Sequence, residues 1–409
     1  MIPKGDIVDS RTIASWPSAR RESVTIPSGA KVIDVAGKTI LPGYVDIHAH
    51  MWPAFGIHRS QPFEYLVNLA YGVTTTRDPQ TVDHRRARRT KTWSRRATLS
   101  DRGFSRRARR VSPRRKSGRS TRPATSSRNI QSSTIRRRSS SIRPAIAARA
   151  NSSSMAAREQ HLTPTLEGGL DFKKNLTEAM DGYAGVEHTL PIAPLYKDVL
   201  QLFANSGTTW TPTLIVQYGG PWAENYWYEN SDVVNDPKLN RFTPRDVVER
   251  KALRRPGWWA PSQWSFQLFA EQAAKLVAAG GRVGMGSHGQ LQGLGAQWEI
   301  WNLASGGMPN YDVLRVATIF GAEAIGHEKD VGSLEAGKLA DLQVLDKNPL
   351  EDIKNTNTIR YVMKNGRLYE GSTLNEVWPR QKPIARLWWW GMPLWGKARI
   401  DDSLWFFGT

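Results

Sequence analysis

Cysteine is absent from the 409-residue sequence. Disulfide scaffolds, thiolate-ligated zinc or iron–sulfur sites and thiol nucleophiles are thereby excluded. Long apolar runs are missing too: none reaches the ~18 residues that cross a bilayer. The opening residues, MIPKGDIVDS, lack the charged-then-apolar pattern of an export signal, so no membrane partner and no export address are expected. The third scarcity is local. Residues 85–149 contain one acid, Asp101, against 23 of the chain's 57 lysines and arginines. The formal net charge of +20 therefore belongs to one block, because the remaining residues carry 34 basic and 36 acidic side chains.

That block is also short of apolar residues. Arginine and serine supply 34 of its 65 positions and large apolar side chains only eight, a fraction below the ~20% under which a charged segment fails to fold. Two readings compete. One is an inserted arm that binds nucleic acid or another polyanion non-specifically, since basic runs gain affinity by releasing counterions. The other is a stretch translated out of frame from a GC-rich gene, which would be Arg- and Ser-rich, acid-poor and patternless. An insertion leaves the surrounding pattern complete, and the units counted below favour replacement.

What is present is a repeating alternation of short strands and helix-like stretches, at residues 44–50, 72–77, 162–167, 185–188, 208–216 and 282–288. Such alternation argues for βα units and a parallel sheet or barrel. Two units precede the basic block and four follow it, so an eight-fold barrel would lack its third and fourth strands. The expected fold class is α/β: a TIM-like (β/α)8 barrel, incomplete at those strands. Residues 32–41, 339–346 and 359–368 read as β segments at opposite chain ends that pair into a small sheet. The expected domains are a small β domain from 1–42 and 331–372, a barrel from 43–84 and 153–330, the basic segment 85–152 and a tail at 373–409.

Several strands end in a polar residue: His48, His50, Glu167, His188 and His288. In a barrel that end is the catalytic face. The sharpest motif is Leu41-Pro-Gly-Tyr-Val-Asp-Ile-His-Ala-His50. His48 and His50 are two apart on a strand and share a face, so both imidazoles reach one metal ion at ~2.0–2.1 Å.

This motif resembles the first barrel strand of the amidohydrolase superfamily. Gly72-Val-Thr-Thr-Thr-Arg-Asp78 is similar to its second strand. The stretch Gly332-Ser-Leu-Glu-Ala-Gly-Lys-Leu-Ala-Asp-Leu-Gln-Val-Leu-Asp346, with Val362-Met-Lys-Asn-Gly366, is similar to its closing sheet. Glu167-Gly-Gly, Glu187-His188 and Gly286-Ser-His-Gly-Gln290 look most like the amidohydrolase domain that follows a TolB-like β-propeller in long bacterial proteins. Relatives of that kind would be periplasmic or secreted. The resemblance implies a barrel with one or two divalent metals, zinc foremost, hydrolysing amide-like C–N bonds of a small-molecule substrate through metal-activated water.

On that resemblance His48, His50 and His188 match metal ligands. Glu167 stands where the family has a fifth-strand histidine, and a carboxylate oxygen also ligates at ~2.0–2.2 Å. His288 stands where the family has a proton-accepting aspartate, a role a histidine also fills near neutral pH. The bridging lysine of the fourth strand has no counterpart, because that strand falls in the basic block. Trp222 and Tyr226 follow the seventh strand and are candidate walls of a substrate cleft. The loss of two strands would impair catalysis in this chain, and self-association is left open. The rival function is a polyanion-binding protein that uses the Arg/Ser arm on a non-catalytic barrel.

Overall fold

A computed structural model of the chain describes residues 32–51, 61–79, 154–160, 162–253 and 257–390. The basic block, and with it both the arm and the strand-replacement readings, lies outside the described residues. Among the described residues, six short strands build the barrel wall: β2 (Tyr44–Asp46), β3 (Val73–Thr76), β4 (Thr165–Glu167), β5 (Gly185–Glu187), β6 (Thr209–Thr211) and β7 (Arg282–Val283). β2 pairs in parallel with β3, and β4, β5, β6 and β7 pair in parallel in that order. Beyond the regular ladders the two groups meet. Ile47 N donates to Met285 O at 3.0 Å and His288 N to His48 O at 2.7 Å, with Ala49 opposite His288. The wall therefore runs β3-β2-β7-β6-β5-β4, a TIM-barrel-like α/β arrangement. β2, β5 and β6 are buried throughout, as strands covered on both faces should be.

Helices on the outer face are set by local signals. Asp171 caps the helix Phe172–Met180 by accepting from Lys174 N at 3.2 Å. Gly207 ends Lys197–Ser206 in the left-handed region, where a residue without Cβ carries no steric cost. The helix Leu294–Ser305 is buried on nearly every side, and its polar residues anchor neighbouring loops. Gln297 Nε2 donates to Tyr71 O at 2.8 Å, Asn302 Oδ1 accepts from Trp227 Nε1 at 2.9 Å, and Glu299 accepts from Leu214 N and Ile215 N at 2.8 and 3.0 Å.

A second, five-stranded sheet joins β1 (Thr39–Pro42) to β8 (Leu342–Leu345), β9 (Ile359–Lys364), β10 (Arg367–Glu370) and β11 (Glu376–Trp378), antiparallel throughout. Three sequence boundaries shift. The stretch 359–368 is a hairpin rather than one strand, because Asn365 and Gly366 both take positive φ, 50° and 74°, the pair required by a two-residue turn that matches strand twist. The stretch 208–216 pairs only over β6. Thr213 turns left-handed and Leu214–Val216 closes a 3-10 turn. The tail expected from 373 does not stand apart: β11 extends the sheet, and Trp389 and Trp390 donate to Arg241 O at 3.1 and 2.8 Å. No helix among the described residues is long and apolar enough to cross a membrane.

Gly306 ends the buried helix against the backbone of Phe266–Ala278. A Cβ there would lie 2.2 Å from the carbonyl carbon of Ala270 and from Glu271 N. Gly306→Ala is therefore expected to destabilise the fold by about 1–3 kcal/mol, read from chemical denaturation. An unchanged midpoint would contradict this close packing.

Candidate metal centre

The barrel delivers its polar residues to one end. His48 and His50 follow β2, Glu167 closes β4, His188 follows β5, and His288 lies beyond β7. The ring centroid of His48 lies 5.0 Å from that of His50, 4.8 Å from His188 and 5.1 Å from His288. That of His50 lies 4.6 Å from His288. His48, His50 and Glu167 offer one donor atom each within 4.8 Å of one another, and so do His48, His188 and His288. The structure thus brings together all five residues read from strand ends.

Hydrogen bonds orient the first pair. His48 Nδ1 faces Glu187 Oε2 at 3.0 Å, and His50 Nδ1 faces Asp78 Oδ1 at 3.0 Å. A carboxylate only accepts, so each Nδ1 carries its proton and a neutral ring leaves a bare lone pair on Nε2. These two Nε2 atoms are 3.3 Å apart. Glu167 Oε1 lies 4.0 and 3.7 Å from them, buried and without a hydrogen-bond partner. Three lone-pair atoms face one space with no donor among them, and a cation relieves that arrangement.

Burial keeps the imidazoles of His48 and His288 in the state a metal requires. It pushes His48 well below the ordinary histidine value, with His188, His50 and Arg77 adding repulsion. His288 is lowered in the same way, first by burial and then by the three other imidazoles. On Glu167 burial acts the other way, raising its carboxyl and so opposing the carboxylate form that ligates, while the His50 imidazole lowers it. Neutral imidazoles are the form that ligates.

A second tier of residues was not singled out from sequence. Glu187 is fully buried and also takes Arg77 Nη2 and Thr165 Oγ1 on Oε1, while Arg77 Nε donates to Ile47 O at 2.8 Å. Asp78 Oδ2 accepts from Met51 N at 3.1 Å. Asp46 Oδ1 accepts from His48 N and Ser287 N, both at 3.2 Å, which latches the first strand to the last; burial pushes its carboxyl up to about 7. Thr213 Oγ1 meets His188 Nδ1 at 2.7 Å. His188 and His288 both hold positive φ, 69° and 59°, a strain concentrated at functional sites. Gly289 is required beside them, since a Cβ there would lie 2.3 Å from His50 O. The visible sequence signals were the Asp two residues before His48, the Arg-Asp that closes the second strand, and the Glu next to His188.

Trp222 and Tyr226 are placed differently from the histidines. Trp222 is the half-exposed N-cap of the helix Ala223–Asn230. Tyr226 packs against Trp227, Trp264 and Phe266 and lines a separate cavity whose walls include none of the five strand-end residues. The aromatic ring beside the centre is Tyr218, 5.0 Å from His188.

Burial holds His188 down at about 4. A depressed histidine stabilises the fold above its unfolded value near 6.5, and that stability is lost as pH falls toward the folded value. Buried carboxyls such as Asp46 act oppositely, so the difference between two proteins is the useful readout. In metal-free protein, His188→Asn, a side chain suited to left-handed backbone, should lessen the loss of stability from pH 7 to pH 5 by about 2 kcal/mol. Urea unfolding at both pH values measures it, and equal losses in the two proteins would contradict the assignment.

Residues 267–369, which span His288 and most of the second sheet, match the amidohydrolase family. Imidazolonepropionase of Shouchella clausii (strain KSM-K16) is 40% identical over 75 residues, which is 17% of this chain and 17% of that protein's length. A Xaa-Pro dipeptidase with bound methionine in its active site has a similar fold, with a TM-score of 0.53 and 19% identity over 85% of this chain and 91% of its own. Molinate hydrolase gives 0.56 and 15%, covering 90% of each chain. At these identities the two structures speak for the fold. The segment 267–369 is thus similar to the amidohydrolase family, and the strand-one motif and the strand-end cluster of candidate metal-binding groups agree with that likeness.

Proposed function

We propose that the chain hydrolyses an amide-like C–N bond, in a non-peptide amide, a cyclic amide or a dipeptide-like substrate, using one or two divalent ions held by His48, His50, His188 and Glu167. The observation that carries this reading is the convergence of His48 Nε2, His50 Nε2 and Glu167 Oε1 without a donor among them. Imidazole nitrogens with one carboxylate oxygen are a donor set suited to zinc. A bound ion supplies Lewis acidity, polarising a carbonyl and lowering the pKa of water to ~7. The imidazolonepropionase match supports the bond class, and the two enzymes of similar fold support the scaffold alone.

The chain's own residues supply orientation and proton transfer. Glu187 and Asp78 hold the Nδ1 protons of His48 and His50, which keeps both Nε2 lone pairs aimed at the centre. Thr213 fixes the ring of His188. His288 Nδ1 is buried and without a hydrogen-bond partner. It is the atom proposed to take a proton from the attacking water and to return it to the leaving nitrogen. A second reading has a specific observation behind it: ligand atoms of His288, His48 and His188 also lie within 4.8 Å of one another, which would make His288 a nitrogen ligand.

Two variants test the reading. His48→Ala with His50→Ala should abolish both the stoichiometric metal left after dialysis and the chelator-sensitive hydrolysis of a panel of dipeptides, N-acyl amino acids and cyclic amides. Retained metal would place the site elsewhere. His288→Ala should keep its metal and lose about 10²–10⁴-fold in turnover if it is the base, and should lose metal if it is a ligand.

A further inference from the structure

A cavity of about 690 Å3 opens beside the helix Ala223–Asn230. Tyr226, Tyr228 and Glu229 face it from that helix, and Trp258, Trp259 and Trp264 line it from the segment that follows. The rings are set at steep angles rather than stacked. Tyr226 and Trp264 meet at 80° with centroids 5.6 Å apart, and Trp259 and Trp264 at 57° and 5.3 Å. Rings so tilted present π faces as well as edges, and the quadrupole of a π face attracts a cation.

The charge of the lining points the same way. Among the described residues, Glu229 is the one carboxylate of the lining and none of the lining residues is basic. Glu229 Oε1 is buried and makes no hydrogen bond. Aromatic packing accounts for the rings but not for this oxygen, because an unmet buried carboxylate oxygen costs stability that a purely structural cluster would avoid.

We propose that this cavity binds a protonated organic amine. The ammonium N–H donates to Glu229 Oε1, the indole and phenol faces cage the charge, and an apolar or aromatic body fills the remaining space. The volume exceeds what an ammonium head needs and falls in the ~300–1,000 Å3 range of small-molecule sites. Trp258, 80% exposed, stands at the open side. The site shares no residue with the histidine centre and does not depend on the hydrolase reading.

The test is a titration of the full chain with 2-phenylethylammonium, followed by tryptophan fluorescence and calorimetry, with 2-phenylethanol as the neutral counterpart. Saturable binding of the amine is expected, about tenfold or more tighter than the alcohol. Glu229→Gln keeps the shape and removes the charge, and should weaken the amine about tenfold while leaving the alcohol unchanged. Trp258→Ala changes an exposed residue and should weaken both ligands. No saturable binding at millimolar amine, equal affinity for amine and alcohol, or unaltered amine binding in Glu229→Gln would each overturn the proposal.

Discussion

The structure turns on two imidazole nitrogens that face each other with nothing to share. His48 Nε2 and His50 Nε2 are 3.3 Å apart, and each ring is held by a carboxylate on its other nitrogen. Neither nitrogen has a proton to give, and the oxygen beside them, Glu167 Oε1, has no donor either. Lone pairs gathered in a buried space repel one another, and the low local dielectric enlarges the cost. That arrangement is the observation behind the proposed ion.

Much of the barrel serves to hold those atoms in place. Glu187 reaches His48 from β5, and it also binds Arg77 beyond β3 and Thr165 on β4. One carboxylate thus connects the first strand to both flanks of the wall. Asp46 performs the corresponding service between the first strand and Ser287. Farther out, Glu299 holds the backbone of Leu214 and Ile215, and so steadies the turn that carries Thr213 against His188. Burial pushes Glu299 up to about 8, the cost of placing a carboxyl where a loop needs an acceptor.

Strand-end residues were legible in the sequence because a short apolar strand followed by a polar residue is a local pattern. His48, His50, Glu167, His188 and His288 were all found that way, and the structure brings them together. Their supporting partners were not legible. His48 and Glu187 are 139 residues apart and Arg77 and Glu187 are 110 apart, and a pairing at such separation is decided by strand order rather than by spacing. Thr213 escaped for another reason: its left-handed φ of 44° breaks what read as one strand through residue 216. Asn365-Gly366 was a readable turn signal inside 359–368, and β9 and β10 show what it does. Tyr226 followed the expected strand but turned into the separate aromatic cavity, since loop direction depends on packing that composition does not encode.

The central claim is that His48 and His50 present Nε2 lone pairs to a shared ion because Glu187 and Asp78 hold their Nδ1 protons. Nitrogen-15 NMR of the histidine rings, before and after zinc is added to metal-free protein, tests it most directly. The account predicts protonated Nδ1 in both states and a large zinc-dependent shift confined to Nε2 of each ring. Rings protonated at Nε2 in the metal-free protein, with signals that zinc leaves unchanged, would contradict it.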